Sequence, residues 1–203
     1  MPRIVNKEQK KAEILQIAMQ VFARKGVVKT KMIDIAQSAG IGKGTIYEYF
    51  RSKEEIFTEA FNSMFSAIES SIIDSIASVK DPVEKLDRLV EVSLQEFISE
   101  NSEFAGIMMD FWAEGIRNKD EKLLDILALH DIYSKYRTLI TGILTEGIEK
   151  GVFRNVDMHS LSAIMIASLD GLLLQWIMDR ELFDMKQVSR TFMDTFLNGI
   201  KKA

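Results

Sequence analysis

Apolar residues fall three and four apart along most of the chain, the period of helices that bury one face. Residues 6 or 7 to 25 carry such a stripe in Ile14, Ile17, Ala18, Val21 and Phe22. Asn6 and Gln9 stand at capping-box spacing before it, and Gly26 follows where a chain leaves a helix. Met32, Ile35, Ala36 and Ala39 mark a short helix over 31–39, and Ile46 and Phe50 a second over 43–50. Gly40, suited to a positive φ, and the apolar Ile41 occupy the turn between them. A longer helix opens at the capping box of Ser52 and Glu55 and runs through Ile56, Phe57, Ala60, Phe61, Met64, Phe65 and Ile68 to about 79. Asp81, Pro82 and Glu84 start the next, which carries Leu86, Leu89, Val90, Leu94, Phe97 and Ile98 inward to about 100. Further helices are expected over 103–117, 121–150, 157–180 and 185–201, with Gly151 ending the second of these and a loop over 152–156. The pattern predicts an all-α protein of about nine helices, divided into a small bundle over 1–52 and a larger helical domain over 53–203.

The last two helices are apolar round much of their circumference. The first of them reads Leu161, Ile164, Met165, Ile166, Ala167, Leu169, Leu172, Leu173, Leu174, Trp176 and Ile177. A helix apolar on more than one face is covered on more than one side, and in a chain of this size the second cover is often a partner subunit. Composition limits the chemistry. With 47% hydrophobic and 28% charged residues the chain reads as globular and soluble. It has no Cys, hence neither disulfides nor thiolates, and His130 and His159 are too few for a His-rich metal site. The N-terminus is polar and charged rather than signal-like, and no apolar run is expected to span a bilayer, so a cytoplasmic protein without a membrane partner is expected.

Charge is unevenly placed. Residues 1–53 hold 11 Lys and Arg against 4 Asp and Glu, while the rest holds 15 against 26. A basic front on an acidic body suits a phosphate-binding module attached to a soluble regulatory domain. The basic segment contains the two short helices. The outer face of the second joins Lys43, Gly44, Thr45, Tyr47 and Glu48: a cation, a residue that permits close approach, a small hydroxyl and a phenol. Such a set suits a helix that enters the major groove by its N-terminal end, where Lys bonds guanine O6 or N7 and Thr meets base edges or a thymine methyl. An ordinary surface helix in a small bundle has the same gross geometry.

The run from Gly40 through Ile46, Tyr47 and Phe50 to Glu55 resembles the DNA-binding signature of the tetracycline-repressor (TetR) family of bacterial regulators. Phe22 to Gly26 and Asp34 to Ala36 match the same pattern at the same spacing. The resemblance covers roughly residues 10–60. Beyond it lie only similar length, helical character and the segments Gly147 to Phe153 and Leu169 to Gly171. Lys31 stands where the family usually places Ser or Thr as a helix cap, and Gly42 where it often places Ser. The resemblance implies a helix-turn-helix domain over 1–52, with Thr30, Lys31, Gly42, Lys43, Gly44, Thr45, Tyr47, Glu48, Tyr49 and Lys53 as candidate DNA-binding residues. It also implies a homodimer through the last two helices and an inducer held in the C-terminal domain. The helix over 103–117 is rich in soft apolar side chains, Phe104, Ile107, Met108, Met109, Phe111 and Trp112, and Met suits adaptable surfaces. With His130, Tyr133, Asp170, Gln175 and Trp176 these form the candidate ligand site that the resemblance implies, and Asp110 is a further polar anchor; any one of them taken singly suits a packed core better.

No Gly-rich phosphate loop follows a strand, and there is no nucleophile elbow and no His-Glu-x-x-His, so neither an enzyme nor a cofactor or metal is expected. The reading is a DNA-binding transcriptional regulator, a repressor released from double-stranded operator DNA by a small hydrophobic or amphipathic ligand. Its rivals are a ligand-independent regulator with a filled core and a helical small-molecule-binding protein without DNA binding.

Overall fold

The computed structural model describes residues 7–99, 107 and 129–202. Among these, the regular structure is helical: α1 (Lys7–Lys25), α2 (Met32–Ser38), α3 (Lys43–Tyr49), α4 (Lys53–Ile76), α5 (Pro82–Ser99), α6 (Leu129–Glu149), α7 (Met158–Met178) and α8 (Met185–Ile200). The predicted all-α class is what the structure has. The helix expected over 103–117 and the start of that expected over 121–150 lie outside the described residues, except for Ile107, which is helical and buried. The described chain forms two compact units that divide within α4, between Ser66 and Ala67.

In the first unit α1, α2, α3 and the first turns of α4 share one core. Ile14, Ala18, Val21 and Phe22 of α1 are buried, as are Met32, Ile35 and Ala36 of α2, Ile46 of α3, and Ile56, Phe57 and Phe61 of α4. The Phe22 and Phe57 rings meet edge to face, 5.6 Å between centroids, an arrangement aromatic quadrupoles favour. α2 turns into α3 through Gly40 at φ +64°, where Ile41 N donates to Ala36 O and Gly40 N to Gln37 O. That paired pattern satisfies the last carbonyls of α2 and needs a left-handed residue.

The second unit packs α5, α6, α7 and α8 with Ile68, Ile72 and Ile76 of α4, all three buried. The predicted cap at Asp81 forms, its Oδ1 accepting from Val83 N (3.1 Å), and Asp157, where a helix was expected to start, caps α7 by accepting from His159 N (3.1 Å) and Ser160 N (3.2 Å). Two expectations shift. α4 ends at Ile76 rather than near 79, because the chain turns there to bury Val79 and its amide donates to Ile76 O. The stretch 152–156 is no free loop either. Phe153 is buried, its amide donates to Gly147 O, and its ring lies so close to α6 that a Cβ on Gly147 would sit 2.0 Å from Phe153 Cδ2. Arg154 N donates to Ile200 O and Lys202 N to Val152 O, so residues 200–202 clasp this turn. Glu146 adds a polar clasp of its own, bridging Lys85 and Lys150, each at 2.6 Å.

α7 overturns one sequence expectation. This 21-residue helix holds an 18-residue window of mean hydropathy 1.7, long and apolar enough by length and composition to cross a membrane. Much of the apolar surface of α7 is uncovered: Ile164 (55% exposed), Leu174 and Met178 all face outward.

Candidate nucleic-acid interface and ligand site

α3 is held from below and left open above. Ile46 is fully buried, whereas Gly42, Lys43, Gly44, Tyr47 and Glu48 are exposed and Thr45 and Tyr49 half-buried. The first turn therefore presents Lys43, Gly44 and Thr45 with the phenol of Tyr47 one turn on. A Cβ built on Gly44 would meet nothing within 4 Å. Nothing inside the protein asks for glycine there, although a helical glycine costs about 1 kcal/mol against alanine. Gly42 caps α3 without a side-chain bond, and a Cβ on it would touch only Thr45 Oγ1 at an ordinary 3.7 Å, so a serine there would fit.

Around this face the other predicted DNA-binding residues divide. Lys31 caps α2 and its side chain is exposed. An ammonium accepts no hydrogen bond, so the cap is completed in reverse: the Asp34 carboxylate accepts from Lys31 N at 2.9 Å. The Lys25 ammonium, 2.8 Å from the same carboxylate, and that amide hold Asp34 below the usual carboxylate range. Thr30 corrects the sequence reading. It is 1% exposed and its hydroxyl donates to Gly26 O at 2.8 Å, so it faces the interior of the turn.

Lys53 is also engaged. Its ammonium donates to Val27 O (2.8 Å) and Val28 O (2.7 Å), joining the start of α4 to the turn between α1 and α2. Ser52 Oγ accepts from Glu55 N at 3.1 Å as predicted, but the Glu55 carboxylate reaches back to Arg51 N rather than to Ser52 N, leaving half of the expected capping box unmade. A residue with no role expected from the sequence completes the frame. Lys11 of α1 bonds Glu59 of α4 at 2.6 Å and lies 5.3 Å above the Phe50 ring; the Glu59 bond raises its pKa. Helical spacing hints at which face Lys11 occupies, but its partner is 48 residues away in sequence.

Of the candidate ligand residues, Phe104, Met108, Met109, Phe111 and Trp112, with Asp110, lie outside the described residues. The structure brings Tyr133 and Asp170 together: the phenol donates to Asp170 Oδ2 at 3.0 Å. Asp170 is accessible along α7, yet enough protein surrounds its carboxyl to raise its pKa, an effect the Tyr133 bond partly offsets. Burial, and then the facing carboxylate, raise the phenol's pKa well above its ordinary value. Gln175 spends its amide on Gly171 O of its own helix, and His130 is exposed in the first turn of α6. Trp176 belongs elsewhere, to an open cleft of about 960 Å³ between α5, the end of α7 and α8. Val90, Leu94 and Met193 form its apolar wall, and Arg180 lies over the Trp176 ring at 5.0 Å. Asp87 and Asp194 also line it; burial, and then the Asp194 charge, raise the pKa of Asp87. This cleft is not legible in the sequence, because its walls come from segments about a hundred residues apart.

Comparison with known proteins returns two adjoining families. Residues 14–60 match bacterial regulatory proteins of the tetR family, and residues 82–200 match the C-terminal part of BetI-type transcriptional repressors. The fatty acid metabolism regulator protein of Bacillus subtilis is 22% identical over 96% of this chain and 97% of its own. The solved structure of PfmR, a TetR family transcriptional regulator from Thermus thermophilus, is 30% identical, covers 93% of this chain and 99% of its own, and superposes with a TM-score of 0.70. FadR from Bacillus subtilis, solved in complex with stearoyl-CoA, shares the fold with a TM-score of 0.78 at 24% identity, over 93% of this chain and 98% of its own.

Proposed function

This chain belongs to the TetR family of bacterial regulatory proteins, and on that premise we propose how it works as a ligand-responsive, DNA-binding transcriptional repressor. Two copies, paired through the uncovered faces of α7 and α8, place two α3 helices in successive major grooves of a pseudo-palindromic operator. Groove spacing requires roughly 34–36 Å, or a multiple, between the two reading helices. Lys43 and Thr45 read base edges, Gly44 lets the backbone close on the duplex, and Tyr47 and Lys31 meet phosphates, which position without specifying.

The observation that carries this reading is the empty space over Gly44. Gly142, Gly171 and Gly199 have the same empty space, so what sets Gly44 apart is its place between the exposed Lys43 cation and the Thr45 hydroxyl on the outer face of α3. Ligand control is supported by the kind of relative the chain has: one regulator is named for fatty acid metabolism, and another was solved with stearoyl-CoA. The ligand proposed is hydrophobic or amphipathic, such as a fatty-acyl compound, with the Tyr133–Asp170 pair as its polar anchor in the second unit. The chemistry is binding rather than turnover, and the site of action is the cytoplasm. Fluorescence anisotropy with the DNA upstream of the protein's own gene tests the core of the proposal: tight binding to one segment, abolished by Gly44→Val, is expected, and equal affinity for all sequences would end it.

A further inference from the structure

The Lys53 ammonium sits at the first position of α4. That is the positive end of the helix dipole, where a cation is disfavoured. The structure shows what offsets this. Two consecutive carbonyls, Val27 O and Val28 O, converge on the one nitrogen at 2.8 and 2.7 Å. Hydrogen bonds from an ionised donor are about twice as strong as neutral ones. Val27 is 5% exposed, so its carbonyl is largely shut off from water, whereas Val28 is 61% exposed; Thr30 N and Thr30 Oγ1 both go to Gly26 O and serve neither carbonyl. This turn leads directly into the cap of α2, and α2 leads through Gly40 into α3.

We infer that Lys53 is a positioning residue for operator reading and not a phosphate contact: its ammonium latches the α1–α2 turn to the start of α4 and so sets the attitude of the reading helix. This rests on the proposed DNA binding, but the latch itself has a readout in the DNA-free protein. A phosphate contact would release a counterion on binding and so contribute about one to the slope of log affinity against log salt. A latch contributes nothing to that slope.

The test uses Lys53→Met, which keeps most of the aliphatic stem and removes the donors, with Lys53→Gln as a milder second variant. Two quantities are measured for each: amide hydrogen exchange over residues 26–31 without DNA, and operator affinity across a salt series. The expected result is faster exchange at Thr30 and Lys31, affinity about ten- to a hundredfold weaker, and an unchanged salt slope. Lys31→Met, at a cation proposed to meet a phosphate, is the contact control, with a lower slope and exchange at Thr30 at the wild-type rate. A slope lowered by about one in either Lys53 variant overturns the inference whatever the exchange shows, and so does wild-type exchange. If the unmodified protein binds no DNA selectively, the regulator reading fails by that observation alone, and the exchange rates still decide whether the latch exists.

Discussion

Gly44 and Gly147 are both helical glycines, and each is glycine for an opposite reason. At Gly147 the protein itself occupies the space: a Cβ would sit 2.0 Å from the Phe153 ring. Gly147→Ala is expected to cost about 1–3 kcal/mol, read by denaturant unfolding, because the buried ring has to move. Gly142, on the same helix, has no neighbour within 4 Å, so Gly142→Ala is expected to gain about 0.5–1 kcal/mol in the same assay. Gly44→Ala resembles the second case for folding and is expected to raise the thermal midpoint, yet it should weaken operator binding, since the methyl group would enter the space proposed for the duplex. A variant more stable and less active by one methyl group separates the needs of the fold from those of the interface. The carboxylates supply a second contrast. Asp87 has its pKa raised in the folded state, so between its unfolded and folded pKa values the folded protein holds the proton more tightly, and the group detracts from stability once pH rises above that window. Asp87→Asn is therefore expected to raise the thermal midpoint at neutral pH, with the gain vanishing as the medium becomes acidic enough to protonate the wild-type carboxyl in both states. Glu146 has the opposite sign: its bonds to Lys150 and Lys85 lower its pKa, and the stability it lends is lost as pH falls through that lowered value.

Among the elements, the short helices of the reading head were legible because their signals are local. Gly40, Ser52, Asp81 with Pro82, Asp157 and Gly151 each act on residues within one helical turn, and each stands where its chemistry predicts. What escaped sequence reasoning depends on distant partners. The side chain of Lys53 binds carbonyls 25 and 26 residues earlier, and nothing in its own neighbourhood announces them. Phe153 was hidden for the same reason: an aromatic residue in a short polar stretch gives no hint that it will fold back over the helix it follows. Legible periodicity also marked α7 as too apolar for one core. Its outward residues Ile164, Leu174 and Met178 define the covered face of the proposed homodimer. Leu174→Glu is expected to give monomers or aggregates in sedimentation, and to lower operator affinity, since one half-site supplies half the contacts. On α3, Lys43→Ala and Thr45→Ala are each expected to cost about 1–3 kcal/mol on the operator and to relax preference at one or two base pairs.

For the whole molecule, ligand and operator are linked through the same folded states. A fatty-acyl ligand that weakens operator binding by some factor must itself be bound more weakly, by that factor, when operator is present. Titrating the ligand with and without operator, by calorimetry, checks the reciprocity. Asp170→Asn is expected to change the ligand's affinity, whereas Ser189→Trp, which fills the cleft between α5 and α8, should leave it alone. The fate of a newly made chain brings out a further role for Asp170. α7 has the length and apolarity of a segment that the cell's insertion machinery would accept, and Asp170 is its one acidic residue. A carboxylate near the middle of such a segment raises the cost of insertion by about 3 kcal/mol. Asp170 is then expected to act as a sorting mark, keeping the unfolded chain in water long enough to reach the bundle where α7 packs against α6. Asp170→Leu should therefore send part of the newly synthesised protein into the membrane pellet.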